Sequence, residues 1–143
     1  MNNKLNYPTW LVPIEIAQEL KAIGFDVPCH FHFLYYHGWE MLKKRGDEYG
    51  FITSNSCRAY VEENHNGIGN LSAPTWEQVF EWFREKGFNA WIEYQTLYEN
   101  YIPKLAVREE FIYIKNNKGY KTYEKAREAL VVTLIQTYKR EQL

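Results

Sequence analysis

The residues with the widest chemical reach are clustered early, where Cys29-His30-Phe31-His32 is followed by His37. Alternate side chains of an extended strand share a side, so His30 and His32 would stand about 7 Å apart on one face. Two imidazoles in that arrangement can share one metal ion, with a third ligand from His65 or a carboxylate such as Glu93. Cys29 faces the other way, and no H-x-x-E-H or C-x-x-C motif completes the set. The competing reading is a strand with Cys29, Phe31, Phe33 and Tyr35 on its core side and the two histidines on its wetter side. Zinc motifs bring more ligands at set spacings, so the sequence favours the second reading.

Cys57 and His65 form a second candidate pair, since an imidazole can lower a thiol pKa and release a nucleophilic thiolate. Ser54, Asn55 and Ser56 supply nearby hydrogen-bonding groups. No elbow or partner motif accompanies the pair, so a structural or surface cysteine in a polar loop is the better reading. No catalytic residue is assigned. Nor does the chain contain a P-loop, a G-x-G-x-x-G or an H-E-x-x-H, so no cofactor is implied.

The third candidate is a surface. Between Asn89 and Gln95, Ala90, Ile92 and Tyr94 alternate with Trp91, Glu93 and Gln95. Between Glu110 and Lys115, Ile112 and Ile114 alternate with Phe111 and Tyr113. If the aliphatic set faces helices, then Trp91, Phe111 and Tyr113 share the opposite side of a sheet. Such aromatics can stack on bases or on a partner's side chains, or be covered by the third helix, a loop or a second copy of the chain. Glu93, Glu109 and Glu110 offset Arg108, Lys115 and Lys118, and covering of the face by self-association or by a loop is favoured over nucleic-acid binding.

These candidates need elements to position them. Pro13 suits the first turn of a helix carrying Ile16, Leu20 and Ile23 on one face and stopped by Gly24. Thr75 and Gln78 have capping-box spacing at the head of a second helix with Trp76, Val79, Phe80 and Phe83 as its stripe, ended by Gly87. Thr122 caps a third, running towards Arg140, whose face of Tyr123, Ala126, Leu130 and Leu134 is widened by Val131, Ile135 and Tyr138. Strands are expected over His30–Tyr36, Gly50–Thr53, Asn89–Gln95 and Glu110–Lys115. Two polar connections, Glu40–Asn70 and Thr96–Glu109, are long enough to hold function, and Pro103 marks the second. Tyr7-Pro8-Thr9-Trp10 would pin the N-terminus, with Trp10 on the core. The helix–Gly-Phe–strand sequence occurs twice, around Gly24 and Gly87, an echo that chance explains better than duplication.

The composition suits one core. The 143 residues are 45% hydrophobic and 24% charged, with net charge −1 and 12 Tyr, 8 Phe and 5 Trp. A domain of this size buries roughly two thirds of its unfolded surface without disulfides or metals. Near-neutral charge counts against a nucleic-acid partner or an anionic membrane. No apolar run approaches membrane-spanning length and no signal peptide is seen, so a cytoplasmic protein with free thiols is expected.

Three segments together resemble a family. Ser72 to Lys86 is similar to the "APTxxQxxxWFREK" helix of small uncharacterised proteins of gut Bacteroidetes and their phages or prophages. Leu20 to Cys29 resembles that family's "LKxxGFxxPC" stretch, and Tyr120 to Leu130 its "YKTYEEAxxAxLxxLI" helix. The resemblance covers most of the chain outside the two long connections. It implies an accessory protein of a phage or mobile element, with no activity or site residues attached.

The expectation is one α+β domain over residues 1–143, with about four mainly antiparallel strands and three helices in two layers, in the order α-β-β-α-β-β-α. Its expected role is non-enzymatic: binding a protein partner, or itself as a homo-oligomer, through the aromatic sheet face or the 40–70 loop. The alternatives are a small metal-binding protein or enzyme centred on His30 and His32, and a weak single-stranded nucleic-acid binder.

Overall fold

Local signals set the helix ends. The computed structural model describes residues 9–29, 31–34, 52–53, 70–112, 114 and 119–143. Helix α1, Ile14–Ala22, follows Pro13 and buries Ile16, Ala17 and Leu20. It closes on Gly24, at φ +93°. There the Gly24 N–H donates to the Lys21 carbonyl and the Phe25 N–H to the Leu20 carbonyl, the paired bonds of a Schellman stop. Phe25 and Leu20 are both buried, which supplies the hydrophobic contact that accompanies such a stop.

The fold is α+β with antiparallel strands and three helices. Strands β1 (Phe31–Leu34), β2 (Ile52–Thr53) and β3 (Asn70–Ser72) form one sheet in the order β2-β1-β3. Helix α2, Trp76–Glu85, follows, then β4 (Phe88–Gln95), β5 (Asn100–Val107) and β6 (Glu110–Ile112) in a second sheet, order β4-β5-β6. Helix α3, Tyr123–Glu141, ends the chain's elements. The chain divides into two compact units, residues 1–78 and 79–143, with the boundary inside α2.

In the first unit, α1 lies against β3. The capping box of α2 forms as its spacing predicts. The Thr75 N–H donates to Gln78 Oε1 at 2.9 Å, and the Gln78 N–H donates to Thr75 Oγ1 at 3.2 Å. Trp10 departs from expectation, being 49% exposed with its ring edge on Phe31 at 5.1 Å. Trp76 by contrast is buried, and its indole N–H donates to the Thr9 carbonyl at 2.8 Å, which satisfies the polar end of the ring.

In the second unit, α3 lies on β4 and β5. Most of its wide stripe is buried: Ala126, Leu130, Val131, Leu134 and Ile135 are covered and Tyr138 is half-buried, while Tyr123 at the start of the helix is exposed. Phe83, Phe88 and Tyr138 meet edge to face or tilted at 5.8–6.1 Å, with Trp82 on the Phe83 side at 5.0 Å. Each fully buried Leu or Phe of this kind contributes ~1.5–3 kcal/mol.

The segment 96–109, expected as a connection, is mostly strand: β5 is the central strand of its sheet. Pro103 argues against that from sequence alone, since proline cannot donate to a ladder. Its register resolves the conflict. Tyr101 exchanges both backbone bonds with Tyr120, away from β4, and by alternation the missing donor of Pro103 points the same way. The pairing of β5 with β6 stops at Leu105 opposite Ile112, so no β4 or β6 bond is lost at Pro103.

The Gly-Phe echo is conformational as well as sequential, with Gly87 at φ +88° and Phe88 buried like Phe25. The strand following the first helix is central in its sheet, whereas β4 is at an edge. Different strand orders agree with chance similarity.

Candidate functional site

The register of the second sheet sorts the aromatic residues. Trp91 stands opposite Lys104, and Phe111 opposite Ala106, which places both on the same face of the pleat. Their rings meet edge to face at 6.1 Å and 69°. Trp91 is 40% exposed and Phe111 77%. The other face carries Phe88, in ring contact with Tyr138 of α3. Tyr94 and Tyr101 lie there too, a cross-strand pair at 5.0 Å whose ladder continues to Tyr123 of α3 at 6.0 Å. Helix α3 therefore covers the Phe88 face and not the Trp91–Phe111 face, where both rings are exposed and Ile102 is buried.

The open face is nearly uncharged. Among the strand residues that alternation places on it, Asn89, Glu93, Gln95, Asn100, Ile102, Lys104 and Ala106 surround the two aromatics, with one charge of each sign. Phe111 borders a shallow groove of about 370 Å³ lined also by Ile102, Pro103, Lys104, Ile112 and Ile114. Ile102 is buried and Lys104 partly so. Both come from β5, and sequence reasoning missed them because Pro103 disguised the strand. The hairpin tip between β4 and β5 adds Leu97 and Tyr98, both exposed.

The other candidates are placed less fully. Tyr113, His30, His37, Cys57 and His65 lie outside the described residues, as does most of the 40–70 loop. His32 is placed by its backbone in β1, opposite Ile52 on one side and Ser72 on the other. Among the described residues, no three His, Cys, Asp or Glu side chains gather as a metal site would require. Among them too, no helix is long and apolar enough to cross a membrane.

Cys29 is buried, as its side of the expected strand requires. Its thiol donates to the Val27 carbonyl at 3.2 Å. Burial pushes its pKa up to about 12, against a smaller lowering by a hydrogen bond with Ser72. A thiol so placed is a core group, since the reactive form is the thiolate.

No family model, curated protein or solved structure matches the chain.

Proposed function

We propose that the chain is a non-enzymatic interaction domain, an accessory protein of a phage or mobile element, that docks a protein partner on the open face of the β4-β5-β6 sheet. The observation that carries this reading is the Trp91–Phe111 pair. Two large rings in contact are held at the surface on the side of the sheet that α3 leaves open. Aromatic residues are enriched at protein interfaces, where rigid rings bury large areas at small entropic cost. The balanced charge of Lys104 and Glu93 supports a protein over a polyanion, which would select for clustered cations.

The test is site-specific photo-crosslinking in cells that encode the chain. A benzoylphenylalanine in place of Phe111 is expected to give a discrete adduct that the Trp91→Ala substitution weakens. The same group at Lys125, exposed on α3, is the control. Equal labelling from both positions sinks the reading.

A further inference from the structure

The edge of the sheet beside Trp91 says more than the face. Strand β4 pairs with β5 along its whole length, from Phe88 opposite Val107 to Gln95 opposite Asn100, without a bulge. Among the described residues no strand pairs with its other side. The Arg108 N–H donates to the Gly87 carbonyl at 2.7 Å, so Gly87 faces β5. By alternation Asn89, Trp91, Glu93 and Gln95 do the same, while Phe88, Ala90, Ile92 and Tyr94 aim their N–H and C=O groups outward.

Exposed edges template pairing, and proteins ordinarily blunt them with lysine, proline, bulges or a covering element. Strand β4 has no lysine, proline or bulge, and its single charge is Glu93. From Asn89 to Gln95 none of its residues is buried. Tyr94 is 49% exposed although it projects to the side that α3 covers. The strand thus has apolar groups incompletely buried on both faces and a continuous row of backbone donors and acceptors.

We propose that the occupant of this edge is a second copy of the chain, paired β4 to β4 in antiparallel fashion about a two-fold axis at Trp91. The inference rests on the reading of this sheet as an interaction surface and names a partner for it. Antiparallel bonding requires outward-facing residues to meet outward-facing ones, which removes every odd slip of register. With Trp91 opposite its own counterpart, Ala90 meets Ile92 of the second copy and Phe88 meets Tyr94. Asn89 then meets Glu93, a neutral donor against a carboxylate. The two indoles occupy a non-hydrogen-bonded pair, where side chains approach most closely and aromatic pairs contribute most. A shift by two residues sets Glu93 against Trp91 and Tyr94 against Ala90. A shift by four sets Glu93 against Glu93, which like-charge repulsion disfavours. The pairing joins two three-stranded sheets into one and leaves both Phe111 rings free for another partner.

The test uses the purified full chain and cysteine cross-linking in a Cys57→Ser background. Light scattering is expected to show a mass that doubles as concentration rises. Trp91→Cys is expected to form a disulfide-linked dimer under mild oxidation, since a non-hydrogen-bonded pair sets Cα atoms about 4.5 Å apart, within disulfide reach. Asn89→Cys alone is not expected to link. Mixed with Glu93→Cys, it should give a covalent heterodimer. A strict monomer at the highest soluble concentration overturns the inference, as does Trp91→Cys staying unlinked while circular dichroism shows it folded. Linking by Asn89→Cys as readily as by Trp91→Cys overturns the register. A Phe111 adduct with a different protein in a chain that stays strictly monomeric sinks the dimer alone, and a dimer without such an adduct sinks only the reading of a separate protein partner, so the two failures are distinguishable.

Discussion

Trp91 and Phe111 touch across β5, ring centroids 6.1 Å apart, with Lys104 opposite the first and Ala106 opposite the second. The small side chain of Ala106 leaves room for the phenyl ring to lean towards the indole.

If that pair serves binding and not the core, its loss should cost little stability. Phe111→Ser is expected to change the unfolding free energy by under ~0.5 kcal/mol, as surface substitutions do. Phe83→Ala, which empties a fully buried site, is expected to cost ~3–5 kcal/mol. Denaturant titration of the two variants checks the contrast.

The capping box of α2 gives a second expectation. Thr75→Ala removes the acceptor for the Gln78 N–H and should destabilise by ~1 kcal/mol. Thr75→Ser should recover most of that, because the hydroxyl is what accepts. Urea midpoints with an unchanged m-value would establish the order.

Two glycines at similar backbone angles should respond differently to alanine. Gly24 is at φ +93° and an added Cβ there meets open space. Gly24→Ala should cost only the left-handed penalty of ~1–2 kcal/mol. At Gly119, φ +87°, the Cβ would lie 2.9 Å from Asn100 Cγ and 3.0 Å from the Tyr101 carbonyl oxygen. Gly119→Ala should be clearly the worse of the two by thermal unfolding, since the Tyr101–Tyr120 bridge beside it must shift.

Cys29 sets a pH dependence. Its thiol is raised in the folded protein from about 9 to about 12 by burial, so folding favours the neutral form. The unfolded chain begins to ionise near pH 9, and stability from this group is complete below that value. It is lost progressively as pH rises from about 9 towards about 12. Cys29→Ala should flatten that part of the stability profile. In a Cys57→Ser background, native protein at pH 8 should resist a thiol reagent until denatured.

Much of the local structure was legible because its causes are local. Pro13, Gly24, Thr75 with Gln78, Gly87 and Thr122 act within a few residues, and the helices begin and end at them. The 3.6-residue periodicity of α3 likewise announced a helix buried along a wide stripe. Strand β5 was hidden because proline is acceptable in a strand only when its missing donor faces away from a partner. That depends on where β4, Tyr120 and β6 lie.

The candidate site divides in the same way. Alternation alone put Trp91 and Phe111 on one side of their strands, since the period of two is a property of extended backbone. Which side α3 would cover, that Lys104 and Ile102 would join the aromatic face, and that β4 would stand at the edge are facts of pairing between distant segments. Pairing is set by the burial of α3's stripe on β4 and β5, a tertiary energy with no local signature. The aromatic excess of this sequence therefore had two fates that composition could not separate: Phe88 of β4 and Phe83 of α2 buried together, and Trp91 and Phe111 left facing out on the other side of the sheet that carries Phe88.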